Sequence, residues 1–246
     1  MIHAPHRSLR LLAVATLAVA VLSGCSTIKD VFDGRGKDKS TEPTPLVQIS
    51  PTVTVTKAWG ASVGKGEDKL GIGQHPAIVD GRVYAAALEG GVSAFDLRTG
   101  QSLWRYASEL PLGGGPGAGE GLVAVGSLEG DVVVLDAATG AEKWKSKVSN
   151  EVIAAPAIGG GLVFVHSNDG RVTALDAATG ERRWFYSADI PTLTVRGNGN
   201  MTVGPGILFV GNDNGTLVAL SMTDGAVVWT TPVAEPEGRS ELDRMA

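Results

Sequence analysis

Apolar residues along this chain gather in short runs, rich in β-branched and aromatic types, with polar turns between them. Runs at residues 162–165, 172–175, 207–210 and 217–220 are of this kind. Between members of a pair stand Asn168-Asp169-Gly170 or Asn214-Gly215, and elsewhere Glu89-Gly90 and Glu129-Gly130. Such turns supply the positive-φ residue that tight hairpins need, so the pattern predicts strands joined by hairpins.

The pattern repeats. One unit runs from Pro156 to Trp184: apolar run, turn, apolar run ending Ala174-Leu175-Asp176, a turn over residues 177–180, then tryptophan. Its central turn glycine recurs at Gly90, Gly130, Gly170 and Gly215, and its tryptophan at Trp104, Trp144, Trp184 and Trp229, in steps of 40, 40 and 45 residues. A period near 40 with several short strands per unit predicts an all-β fold, a β-propeller of four-stranded blades. Units are expected near residues 72–107, 113–147, 153–187 and 198–232. Trp59 precedes the first unit with no repeat partner before it, which fits the last strand of a further blade. Four units plus that orphan strand predict about four blades of an expected eight, an incomplete ring cut short at its C-terminal side.

Within each unit an Asp opens the second turn, as in Asp96-Leu97-Arg98-Thr99-Gly100, Asp136-Ala137-Ala138-Thr139-Gly140 and Asp176-Ala177-Ala178-Thr179-Gly180. An Asp there can accept backbone N–H groups further along, and the Gly permits a left-handed exit. Recurrence at one place in three repeats favours turn capping over metal or substrate ligation. The fourth unit has Ser221 in that position. The tryptophans are expected to pack between blades.

The chain begins with a basic segment containing Arg7 and Arg10, an apolar stretch over residues 11–22, and then Leu22-Ser23-Gly24-Cys25. This is the layout of a secretory signal, too short to span a membrane as a helix. The small residues before Cys25 resemble a bacterial lipobox, which makes residues 1–24 a lipoprotein signal peptide and Cys25 the lipidation site. Ser26 after it resembles the pattern sorted to the outer membrane in Gram-negative bacteria. Cys25 is the only cysteine, so no disulfide framework is available. Residues 25–52 are polar and read as a tether, leaving residues 53–246 for the partial propeller. A net charge of −5 without a basic cluster argues against nucleic-acid binding.

Two insertions break the repeat. Trp104 to Pro116 and Trp144 to Pro156 are each 12 residues apart, whereas Trp184 to Met201 and Trp59 to Pro76 are each 17. The later insertion, residues 189–200, carries Leu193, Val195 and Arg196 between Pro191 and Gly197. An apolar pair beside an Arg suits a protein-binding hot spot, and suits equally well two apolar residues packed under the propeller with a solvated Arg. The earlier insertion, residues 64–71, is charged and Gly-rich and reads as a loop. The Gly-rich stretch over residues 113–119 lacks the Lys-Ser/Thr of a phosphate cradle and is expected to be a blade-to-blade turn. His75 and His166 are isolated, with no metal-ligand cluster visible.

These residues together resemble a known family. The lipobox Cys25, the polar tether, the orphan Trp59 and the repeats of the form Asp-x-x-Thr-Gly-x-x-x-Trp are similar to the BamB family of outer-membrane lipoproteins. The repeat alone is shared with quinoprotein dehydrogenases. Leu193-Thr194-Val195-Arg196-Gly197 and Glu241-Leu242-Asp243-Arg244-Met245-Ala246 carry the resemblance more specifically. It implies an eight-bladed propeller without enzymatic activity or cofactor, lipid-anchored to the outer membrane and facing the periplasm. It further implies docking on the periplasmic domains of BamA within the barrel-assembly complex, with unfolded outer-membrane proteins as a further class of partner. Leu193, Val195 and Arg196 would then belong to the BamA-contacting surface, with Val195 standing where a Leu is expected. An acidic stretch expected after Ala246 would complete that surface. The alternatives are a quinone-dependent dehydrogenase, disfavoured by the absence of cysteine outside the lipobox, and a periplasmic lipoprotein scaffold for another envelope partner.

Overall fold

The computed structural model describes residues 52–66, 73–191 and 196–234. The chain divides near Val55, and the compact unit described below begins at Thr56. Its described residues contain no α-helix, and therefore none long and apolar enough to cross a membrane.

Four antiparallel sheets of four strands form, each in chain order. The first contains β1 (Ala77–Val79), β2 (Arg82–Ala87), β3 (Gly91–Asp96) and β4 (Ser102–Tyr106). The second contains β5 (Gly117–Gly119), β6 (Leu122–Gly126), β7 (Asp131–Asp136) and β8 (Glu142–Lys147). The third contains β9 (Ala157–Gly159), β10 (Leu162–Ser167), β11 (Arg171–Asp176) and β12 (Arg182–Ser187). The fourth contains β13 (Thr202–Val203), β14 (Ile207–Gly211), β15 (Thr216–Ser221) and β16 (Val227–Pro232). The first strands of successive sheets adjoin, β1 to β5, β5 to β9 and β9 to β13, as blades do around an axis. This is the all-β propeller that the repeat predicts, with four blades.

Middle strands of a blade are sandwiched between two neighbours, so both of their faces must be apolar. In β6, Leu122 and Ala124 join the core toward the third blade while Val123 and Val125 join the core toward the first. In β7, Val132 and Val134 face one way and Val133 and Leu135 the other. Period-two alternation thus divides one apolar run between two cores. The hairpin from β10 to β11 pairs Ser167 with Arg171 and leaves Asn168, Asp169 and Gly170 as its turn, with Gly170 at φ +70°.

Each blade is sealed to the next by its tryptophan. The indole N–H of Trp104 donates to the carbonyl of Ala137 at 3.0 Å, that of Trp144 to Ala177 at 2.9 Å, and that of Trp184 to Met222 at 2.9 Å. Trp59 does the same to Leu97 at 2.9 Å. It occupies the expected tryptophan site, but residues 56–60 are not in a strand: no ladder partner flanks them among the described residues. Trp229 lies on β16 with 39% of its surface exposed.

Opposite every blade tryptophan the outer ladder carries a bulge, between Ala94/Phe95, Val134/Leu135, Ala174/Leu175 and Ala219/Leu220. One extra residue on the outer strand raises the local twist and turns the indole toward the next blade. The Gly-rich stretch at residues 113–119 is more than a turn, because Gly117–Gly119 forms β5. A Cβ on Gly117 would run into the carbonyl of Pro156, so crowding between innermost strands dictates glycine there.

The repeated acids cap turns. Oδ1 of Asp136 accepts the N–H groups of Ala138 at 3.0 Å and Thr139 at 2.9 Å, and the Thr139 hydroxyl at 2.9 Å. Asp176 repeats the arrangement with Ala178 and Thr179. In the fourth blade the pair is exchanged: the hydroxyl stands first, on Ser221, and the carboxylate last, on Asp224, which accepts the N–H of Ala226 at 3.2 Å. Hydrogen bonds from the side chain and then the backbone of Thr139 hold the Asp136 carboxyl below the ordinary carboxylate range. A depressed folded pKa gives stability that is present above the unfolded value near pH 4 and is lost as pH falls through the folded value. The parent is therefore expected to lose stability more steeply than Asp136→Asn on acidification from about pH 5 to pH 2, as read by urea unfolding. Parallel curves would show that the turn carboxylate does not carry the effect.

Candidate docking site

Three connections meet at one end of the third blade: residues 148–156 between β8 and β9, the β10–β11 hairpin, and the insertion between β12 and β13. Arg196 belongs to the insertion. Its guanidinium grips the Glu151 carboxylate with two donors, Nε to Oε1 at 3.1 Å and Nη2 to Oε2. The side chains are 35% and 20% exposed, so this pair is partly withdrawn from solvent. Bidentate Arg–carboxylate contacts are among the stronger charge-assisted hydrogen bonds, and partial burial reduces their screening.

Asn168 joins all three connections. Its backbone N–H donates to the carbonyl of Glu151 at 2.9 Å, and its Nδ2 to Oε1 of Glu151 at 2.9 Å. Its Oδ1 accepts the N–H of Gly197 at 3.3 Å. One residue further, Nδ2 of Asn198 meets Nε2 of His166 at 3.3 Å, and Met201 then enters the apolar core between the third and fourth blades. Residues 196, 197 and 198 of the insertion are therefore held to the blade by consecutive contacts.

Beside this network lies a cavity of about 290 Å³, lined by His75, Gly115, Ile153, Arg196, Asn198 and Asn200 among others. Its walls come from the first, second and third blades and from the insertion, so its floor is the inner edge of the propeller. His166 is 2% exposed, and burial is the main cause that lowers its pKa. Asp213, the Gly199 backbone and Asp169 oppose that shift. Neutral imidazole in the fold and a readily protonated one in the unfolded chain make this contribution present above about pH 6.5 and lost as pH falls through the lowered folded value.

The sequence singled out three residues here, Leu193, Val195 and Arg196. Arg196 stands at the end of the third blade, and its charge is engaged by Glu151, which neither a solvated Arg nor a hot-spot Arg anticipates. Leu193 and Val195 lie outside the described residues, as do Cys25, residues 67–72 of the earlier insertion and residues 241–246. That earlier insertion begins with Lys65 bridged to Glu89, backbone to backbone and by a 3.4 Å ion pair. The parts that Glu151, Asn168, His166 and Asn198 play at this end were missed. A signal for Glu151 existed: it stands seven residues after Trp144, where the preceding unit has Pro111 seven after Trp104.

The repeated acids serve their own turns. Among the described residues no group of three or more His, Cys, Asp or Glu side chains is gathered as a metal site. The fold and this end define a propeller whose elaborated surface is a set of connections braced by an ion pair. The chain belongs to the family described as outer membrane protein assembly factor BamB, whose model matches residues 88–246. It is 52% identical to the outer membrane protein assembly factor BamB of Xanthomonas campestris pv. campestris, over 95% of this chain and 61% of that relative. The crystal structure of BamB from Moraxella catarrhalis superposes with a TM-score of 0.65 at 29% identity, covering 70% of this chain and 52% of that one. Quinohemoprotein alcohol dehydrogenase from Comamonas testosteroni superposes with a TM-score of 0.52 at 23% identity, covering 65% of this chain and 35% of that one, a likeness of fold alone. The chain thus spans about three fifths of the Xanthomonas relative's length.

Proposed function

We propose that this chain acts as a non-enzymatic scaffold in outer-membrane protein assembly, presenting the end of its third blade to the periplasmic domains of BamA. The observation that carries the reading is the Arg196–Glu151–Asn168 network. It anchors the C-terminal side of an insertion that two of the four units lack, in a member of a family named for outer-membrane protein assembly. A braced loop binds at lower entropic cost than a free one. Leu193 and Val195 would then supply apolar anchors worth roughly 1–3 kcal/mol each. The lipid at Cys25 would hold the propeller at the inner face of the outer membrane, and no cofactor takes part. The dehydrogenase reading rests on the shared fold, and no ligand set is gathered for it among the described residues.

Two experiments test this. In a pull-down of BamA periplasmic domains, the parent captures its partner and Arg196→Glu loses most of the capture while still unfolding cooperatively in urea. Equal capture by both would remove Arg196 from the docking surface, and no capture by the full-length reading frame would remove BamA. In fractionated cells, Cys25→Ser moves the protein from the outer-membrane fraction to the soluble periplasm. An unchanged distribution would exclude the anchor.

A further inference from the structure

Next to the Arg196 network, three buried polar atoms have no hydrogen-bond partner: Nδ1 of His166, Oδ1 of Asn198 and Oδ1 of Asn212. All three residues line a single cavity of about 10 Å³ between the third and fourth blades, with Asp189 and Asp213 also on its wall. Orphaned polar atoms are costly when buried, and three converging on one small space share a cause.

The surrounding hydrogen bonds orient Asn212, and the contact between Asn198 and His166 pairs an amide with one ring nitrogen. The Thr216 hydroxyl donates to Oδ1 of Asn214 at 2.6 Å, so its oxygen can only accept from Nδ2 of Asn212, at 3.1 Å. That leaves Oδ1 of Asn212 facing the cavity. With Nδ2 of Asn198 as the donor to Nε2 of His166, 3.3 Å away, Nε2 carries the lone pair and the ring proton sits on Nδ1. Oδ1 of Asn198 becomes the second acceptor. The cavity therefore offers two amide oxygens and one imidazole N–H.

We propose that one internal water molecule is bound there, donating to Asn198 and Asn212 and accepting from Nδ1–H of His166. The volume suits one water, and three partners is the usual number for a buried one. Through that water His166 is a positioning residue for the insertion. It holds Asn198, two residues beyond Arg196, in register with the third blade, while Asn212 ties the same point to the fourth. Protonation of the ring at Nε2 would set N–H against N–H at Asn198, force its amide to turn and break the bridge. The carboxylates of Asp213 and Asp169 favour that protonation, and Asp189 lines the same cavity.

The test is NMR on the full ¹⁵N-labelled chain, and it is independent of any partner. Ring nitrogen correlations at neutral pH should show the Nδ1–H tautomer, and a cross-peak from a long-lived water should reach that proton. Asn212→Leu should abolish the cross-peak and speed amide exchange at Gly197 and Asn198 about tenfold, as expected for a lost buried hydrogen bond. The β10–β11 ladder should exchange as in the parent. Asn212→Ser, which keeps an acceptor, should retain the cross-peak. An Nε2–H tautomer, a charged ring or a missing cross-peak in the parent would overturn the water site. Unchanged exchange in the insertion, or equal acceleration throughout the ladder, would overturn the positioning role.

Discussion

Trp144→Ala is expected to destabilise the protein by about 3–5 kcal/mol, the cost of emptying a large buried aromatic site. Trp144 is 8% exposed and sits in the core shared by the second and third blades. Its indole N–H donates to the carbonyl of Ala177, and its ring lies on Gly180, which holds φ +75°. A Cβ on Gly180 would stand 2.6 Å from Cε3 of that ring. Two companion substitutions divide the total. Trp144→Phe keeps a ring over the glycine and leaves the Ala177 carbonyl unpaired, at about 1–3 kcal/mol. Gly180→Ala adds a clash to left-handed strain, at about 2–4 kcal/mol, whereas Gly161→Ala, at φ +71° with open space around it, costs only the strain of about 1 kcal/mol. Trp229→Ala, at a half-exposed site, should cost a fraction of the Trp144 value. Urea unfolding of the set decides the matter: if Trp144→Ala costs no more than Trp229→Ala, indole sealing is not what joins the blades.

The second large effect concerns charge. Glu151→Arg alone should weaken capture of BamA periplasmic domains as severely as Arg196→Glu, although nothing in the sequence reading places Glu151 on a docking surface. Each single change sets like charges together and releases the insertion. The double variant, Glu151→Arg with Arg196→Glu, restores an opposite pair across the same gap and should recover most of the binding. A coupling of about 1–3 kcal/mol is expected for residues in direct contact within one network. If Glu151→Arg binds like the parent, Arg196 works through its partner-facing surface and not through the brace. If the double variant stays as weak as Arg196→Glu, the sign of the charge at position 196 is itself recognised.

Much of the fold was legible because a repeat states each rule several times. Hairpin turns announce themselves through Asn-Asp-Gly and Asn-Gly, and the capping role of Asp96, Asp136 and Asp176 follows from their identical settings. The tryptophans were readable as packing for the same reason. What escaped was set by neighbours far along the chain. The bulge beside each tryptophan has no sequence mark, since Leu103, Lys143, Arg183 and Val228, which it leaves unpaired, share no chemistry. Glycines at 113–119 looked like a turn because the crowding that requires them comes from His75 and Pro156, on other blades. Arg196 was legible as an unusual residue in an unusual loop. Its partner was not, because Glu151 lies 45 residues earlier, in a segment that looks like an ordinary connection.

Trp59, Trp104, Trp144 and Trp184 each find a carbonyl 33 or 38 residues further along the chain, never earlier. A chain emerging N-terminus first therefore cannot close a blade when that blade's own strands are complete; it closes it only after most of the next unit has appeared. Growth and closure proceed in one direction with a constant lag of one blade. At every stage a single indole and its surrounding apolar face are left open at the trailing end. Whatever escorts such a chain while it folds has to shield one blade face at a time, however many blades follow.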